Sequence, residues 1–198
     1  MDHDVARQSK AMIGGSESMS EAEREREWSQ QYRDIEDALN RGYEDFINAE
    51  GTSYRFVEEL TLRTHIFCYE VWTDVANFGR NNPRGFARIV AFKSILHKLV
   101  EFAQGVDSHL RPAVLEYATR QGRNFSDADW SELRARWRPT FKRISEWKKI
   151  RNKATGHYDP DTAEVVLLLA SIDVDLVRET AYEFVMFYTE LVGKLSIK

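Results

Sequence analysis

Arg151, Asn152 and His157 fall within the stretch "RNKATGH". A histidine titrates near neutral pH and suits proton transfer. An arginine offers a planar fork of N–H donors to phosphoryl oxygens, where charge builds in a transition state. Asn152 can orient the histidine or donate to a phosphate. The same residues also read as an ordinary helix end. Gly156 fits the left-handed residue that stops a helix, and the lysines and arginine of the last turn suit the C-terminal end of the helix dipole. On an unbroken helix Arg151 and His157 would lie about 120° apart; a break at Gly156 lets the chain fold back and bring them together.

The approach to this stretch is strongly basic, in a chain whose net charge is −4. Residues 134–153 hold nine basic side chains and one acid, a net +8, so the remainder sums to −12. Residues 17–50 hold eleven acids and four bases. Such a molecule is electrostatically polarised. Arg143, Lys148, Lys149 and Lys153 are candidates to touch a phosphate backbone, and Tyr158, just past the turn, to lie against a base. Trp137, Phe141 and Trp147 interleave with the charges, but most rings of this kind face the core.

The elements that must position these residues read as helices. Only 4 Pro and 10 Gly stand against 5 Trp, 8 Tyr and 11 Phe, so breakers are few and core formers many. Residues 1–19 lack periodicity and read as a flexible tail. Ser20 and Glu23 form a capping box that opens a first helix, with Trp28, Tyr32, Ile35, Leu39 and Phe46 on one face. A second helix is predicted over 53–78, with a stripe of Val57, Leu60, Phe67, Val71, Val75 and Phe78. A third is predicted over 86–104 and a fourth over 108–120. Ser126 and Asp129 cap a basic helix that is bent or interrupted near Pro139. The helix resumes over 140–155, and "GHYDPD" ends it. "AEVVLLLAS" fits either a short strand or a buried helical turn. A last helix over 173–195 carries Leu176, Val177, Phe184, Phe187, Tyr188 and Leu191. The expected fold is an all-α bundle of five to seven helices spanning residues 20–198.

Composition narrows the chemistry further. A single cysteine, Cys68, excludes an intramolecular disulfide and a multi-cysteine zinc site, and its apolar neighbours predict a buried, inert thiol. His3, His65, His97 and His109 show no metal-ligand spacing, so neither metal nor cofactor is expected. "GRNNPRG" lacks the spacing and the lysine of a phosphate-binding loop. No apolar run is long enough for a membrane span and no secretory segment is evident, which makes a cytoplasmic protein the expectation.

An arginine, a polar residue directly after it and a histidine six positions on, late in an all-helical chain, resemble the motif of the HEPN superfamily. The likeness is greatest to HEPN proteins of abortive-infection and toxin–antitoxin systems. The resemblance implies a compact helical bundle and a metal-independent endoribonuclease, with two motifs lining the cleft of a homodimer. Arg151 matches the motif arginine, Asn152 the polar position and His157 the motif histidine. It further implies RNA as substrate, cleaved through attack by its own 2′-OH, and an antitoxin or regulatory protein as partner. The pattern departs from toxins paired with nucleotidyltransferases, which carry a tyrosine two residues after the histidine; here Tyr158 follows at once and Asp159 takes the second place. A non-catalytic HEPN-like module that binds RNA or protein is the alternative, since binding needs only the charges and cleavage needs the histidine.

Overall fold

The computed structural model describes residues 20–156 and 160–196. The predicted tail over 1–19, together with His157 and Tyr158, lies outside the described residues. Among the described residues the chain is all-α, with seven helical stretches and no strand. They are α1 (Glu21–Asn48), α2 (Arg55–Asn81), α3 (Phe86–Ala103), α4 (106–121), α5 (127–156), α6 (Thr162–Ala170) and α7 (Val174–Ser196). None is long and apolar enough to cross a membrane.

The start of α1 follows from local chemistry. The Ser20 hydroxyl accepts from the Glu23 N–H at 3.3 Å, and the Glu23 carboxylate accepts from the Ser20 N–H at 2.9 Å. These bonds to Ser20 hold the Glu23 carboxyl below its ordinary range. α1 lies along α2 in an antiparallel hairpin. Trp28 packs on Trp72 with ring centres 5.8 Å apart, and the hydroxyls of Tyr32 and Tyr69 share a hydrogen bond of 2.6 Å. Gly79 makes this approach possible, because a Cβ there would collide with the Trp28 ring.

α2, α3, the middle of α5 and α7 enclose the core. Leu60, Phe67 and Val71 of α2 meet Ile95, Leu96 and Leu99 of α3, and Phe184, Phe187 and Leu191 of α7, all essentially solvent-free. Phe141 of α5 joins them, with ring centres 5.0 Å from Phe187 and 5.6 Å from Phe184. Cys68 packs against this core, and burial pushes its thiol up to about 12. The predicted stripes of α2 and α7 thus face inward.

α5 is where the structure departs most from expectation. The expected interruption near Pro139 is present, but the segmentation goes further. α5 comprises Asp127–Arg136, Arg138–Glu146, a single turn Lys148–Ile150, and a π-helical turn Arg151–Gly156. The first break falls at Trp137, and Pro139 sits in the first turn of the next segment, where its missing N–H costs little. The second break, at Trp147, has no proline or glycine to announce it. Both tryptophans pack against the core, so tertiary packing sets the breaks. α6 settles the open choice for "AEVVLLLAS" as a helix, started by the Asp161 carboxylate accepting from the Glu164 N–H at 3.0 Å.

Candidate active site at the end of the segmented helix

The π-helical turn that ends α5 holds Arg151, Asn152 and Lys153. It is anchored from below by Ile150 and Ala154, both 6% exposed and four residues apart on the core side. It packs against α3 and α6. A π turn carries one more residue per turn than the α ladder, and such turns recur at functional sites. Here it turns Arg151 toward α3 while Ala154 stays in the core.

Arg151 is held on two sides. One terminal nitrogen, Nη1, donates to Asn152 Oδ1 at 2.8 Å, and the other, Nη2, forms an ion pair with Glu101 of α3. Its side chain is 28% exposed, so the guanidinium is fixed yet reachable. Asn152 is exposed beside it. The structure therefore brings together the arginine and the polar residue of the motif. His157 begins the short interval that lies outside the described residues.

The basic residues around the turn are less free than their number implies. Lys149 and Lys153 both reach Glu164 of α6, Lys149 at 3.2 Å and Lys153 closer still. Lys153, then Lys149, hold the Glu164 carboxyl below its ordinary range. Arg143 points away, to Glu183 of α7, whose carboxylate also accepts from the Thr140 hydroxyl at 2.5 Å. Arg143 thus ties α5 to α7 rather than joining the turn, about 12 Å of helix rise from Arg151. Lys148 is exposed and, among the described residues, has no ion-pair partner.

The same pattern holds along the rest of α5. Arg134 grips Asp107 with Nε at 2.9 Å and Nη2 at 2.8 Å, and Arg136 reaches Glu190 at 2.5 Å and Glu132 at 3.2 Å. Glu190 also accepts from the Trp137 indole at 2.9 Å. These carboxylates come from α3, α4, α6, α7 and α5 itself, while the acidic α1 packs along α2. Most of the +8 segment is a set of inter-helix ties.

Sequence reasoning missed Glu101 and Glu164. Glu101 sits fifty residues before Arg151, and no local pattern links them. In hindsight His97 and Glu101, four apart on α3, share the face that meets the turn. His65 lies elsewhere: its Nδ1 is buried against Gly42 of α1, and burial, then the Arg41 charge, push its pKa down.

No family model, curated protein or solved structure matches the chain. Among the described residues, no three His, Cys, Asp or Glu side chains gather in a way that would hold a metal ion.

Proposed function

We propose that this chain is a metal-independent endoribonuclease of HEPN type, acting as a defence or toxin effector. One observation carries the reading. Arg151 is fixed, partly exposed and bonded to Asn152, in a π-helical turn just ahead of His157. Arg151 takes the scissile phosphate, whose oxygens replace the Glu101 carboxylate on the guanidinium fork. The RNA 2′-oxygen attacks the adjacent phosphorus as its proton leaves to a base. The bond from phosphorus to the 5′-oxygen breaks, and that oxygen takes a proton. His157 handles one of these two transfers, and Arg151 offsets the charge that builds on the phosphoryl oxygens. One chain supplies one such histidine, so a homodimer joins two motifs in one cleft, one histidine as base and one as acid. Lys148 steers the strand to the cleft, and Lys149 and Lys153 join it once RNA phosphates compete for them with Glu164.

A second reading, a non-catalytic HEPN-like RNA-binding or protein-interaction module, is favoured by one specific observation. The charges of the turn are already balanced, Arg151 by Glu101 and the two lysines by Glu164. The two readings separate when RNA binding and cleavage are measured side by side in excess EDTA. The nuclease reading expects wild type to bind and cut, His157→Ala to bind without cutting, and Arg151→Ala to cut no RNA, each with wild-type helical content. Wild type that binds RNA and never cuts it would leave the module.

A further inference from the structure

A second basic concavity lies at the opposite end of α5, and neither reading above uses it. It is an open depression of about 550 Å³ between the start of α4 and the first two segments of α5. Its cationic lining is Arg111, Arg134, Arg138 and Lys142, against one lining carboxylate, Asp107.

The four cations are not equivalent. Arg134 is the floor. Its guanidinium lies 3.4 Å over the Phe141 ring and is clamped to Asp107 through two nitrogens, so it is rigidly held with its charge offset by that carboxylate. Arg134 holds the Asp107 carboxyl below its ordinary range, so the clamp is intact at neutral pH. Arg111 is the far wall, held to Asp127 at 2.6 Å and 44% exposed. Arg138 and Lys142, four residues apart, stand on one face of the second α5 segment. Lys142 is 76% exposed and only loosely paired, with Glu146 at 3.8 Å; Arg138 is exposed and has no ion-pair partner among the described residues. Two exposed cations thus stand beside the fixed Arg134–Asp107 pair.

We infer that this depression binds a compact polyphosphate anion. Arg138 and Lys142 would take the phosphates from the rim, beside the fixed Arg134–Asp107 pair. Trp130, also in the lining, is 3% exposed, and Phe141 is covered by Arg134, so neither offers an open ring for successive bases to stack on.

The test is calorimetric titration of the full chain at low salt with four probes: inorganic phosphate, tripolyphosphate, a nucleoside triphosphate and a single-stranded oligonucleotide. Tripolyphosphate and the triphosphate should bind more tightly than phosphate. The double variant Arg138→Gln, Lys142→Gln should weaken both by at least about tenfold, the loss expected for charged hydrogen bonds, with an unchanged melting curve because both side chains are exposed. The single variant Arg138→Glu should weaken them as well, and Arg151→Ala should leave them unchanged, which separates this site from the nuclease reading. Failure of tripolyphosphate and the triphosphate to bind, or binding indifferent to Arg138 and Lys142, would overturn the inference. So would an oligonucleotide that binds through these two residues when the triphosphate does not, because the cleft would then be a nucleic-acid track.

Discussion

The two ends of α5 share a composition and differ in construction. At the first end, Ser126 and Asp129 close a capping box, with the Asp129 carboxylate accepting from the Ser126 N–H at 2.7 Å. Arg134 is locked on Asp107 and Phe141, and the cleft keeps two cations uncommitted. At the second end the helix gives way to a π turn, and Glu101 and Glu164 draw Arg151, Lys149 and Lys153 inward. Counted as sequence, residues 134–142 and 148–153 are both strongly basic. What each can attract depends on which carboxylates the fold brings to it, and on how much of each cation they leave exposed.

The largest expected effect is at the rigid end. Arg134→Ala removes a two-point ion pair and a stacked ring contact, and should cost about 2–3 kcal/mol. For a chain of this size that lowers Tm by several degrees, roughly 4–12 °C. A melting curve that does not move would show that the clamp is decorative. Next comes the anchor of the π turn. Ala154→Leu forces three extra carbons into a core position that is 6% exposed, and should cost about 1.5 kcal/mol through overpacking. It should also abolish any activity that depends on Arg151; full activity with a normal Tm would mean that the turn need not be held as seen.

Acid distinguishes the ends more finely. Arg134 holds the Asp107 carboxyl low, and Lys153 and Lys149 hold that of Glu164 low. A carboxyl depressed in the folded state stabilises fully above its unfolded value, about 4, and that contribution disappears as pH falls through the lowered folded value. Tm should therefore decline below about pH 4. Asp107→Asn should flatten the decline more than Glu164→Gln, because Arg134, itself only 20% exposed, grips Asp107 through two nitrogens. Equal flattening would erase the distinction. The smallest effect is expected for Lys149→Gln, an exposed partner of a carboxylate that Lys153 also holds, whose melting curve should overlay that of the wild type; a clear drop would show that the Lys149–Glu164 pair has structural weight.

Much of the helical layout was legible because it is local. Both capping boxes involve residues three apart, and the stripes of α2 and α7 repeat every three or four residues, so nearest-neighbour chemistry writes them into the sequence. The breaks in α5 were legible in part. The interruption expected near Pro139 falls at Trp137, but the second, at Trp147, has no local signal; both rings pack against the core. The site was legible in half. Arg151 and Asn152 are neighbours in sequence and bond as neighbours, whereas Glu101 meets Arg151 only because α3 crosses the end of α5. The charge of the basic segment could be summed from the sequence; its neutralisation by Asp107, Glu183, Glu190 and Glu164 required the packing of three other helices.

The most direct test of the central claim is end-group analysis of RNA incubated with the wild-type chain and with His157→Ala, both in excess EDTA. The account predicts fragments with 2′,3′-cyclic phosphate and 5′-hydroxyl ends from wild type, and none from His157→Ala at equal RNA occupancy. Fragments with 5′-phosphate ends, or identical fragments from His157→Ala at the wild-type rate, would contradict it.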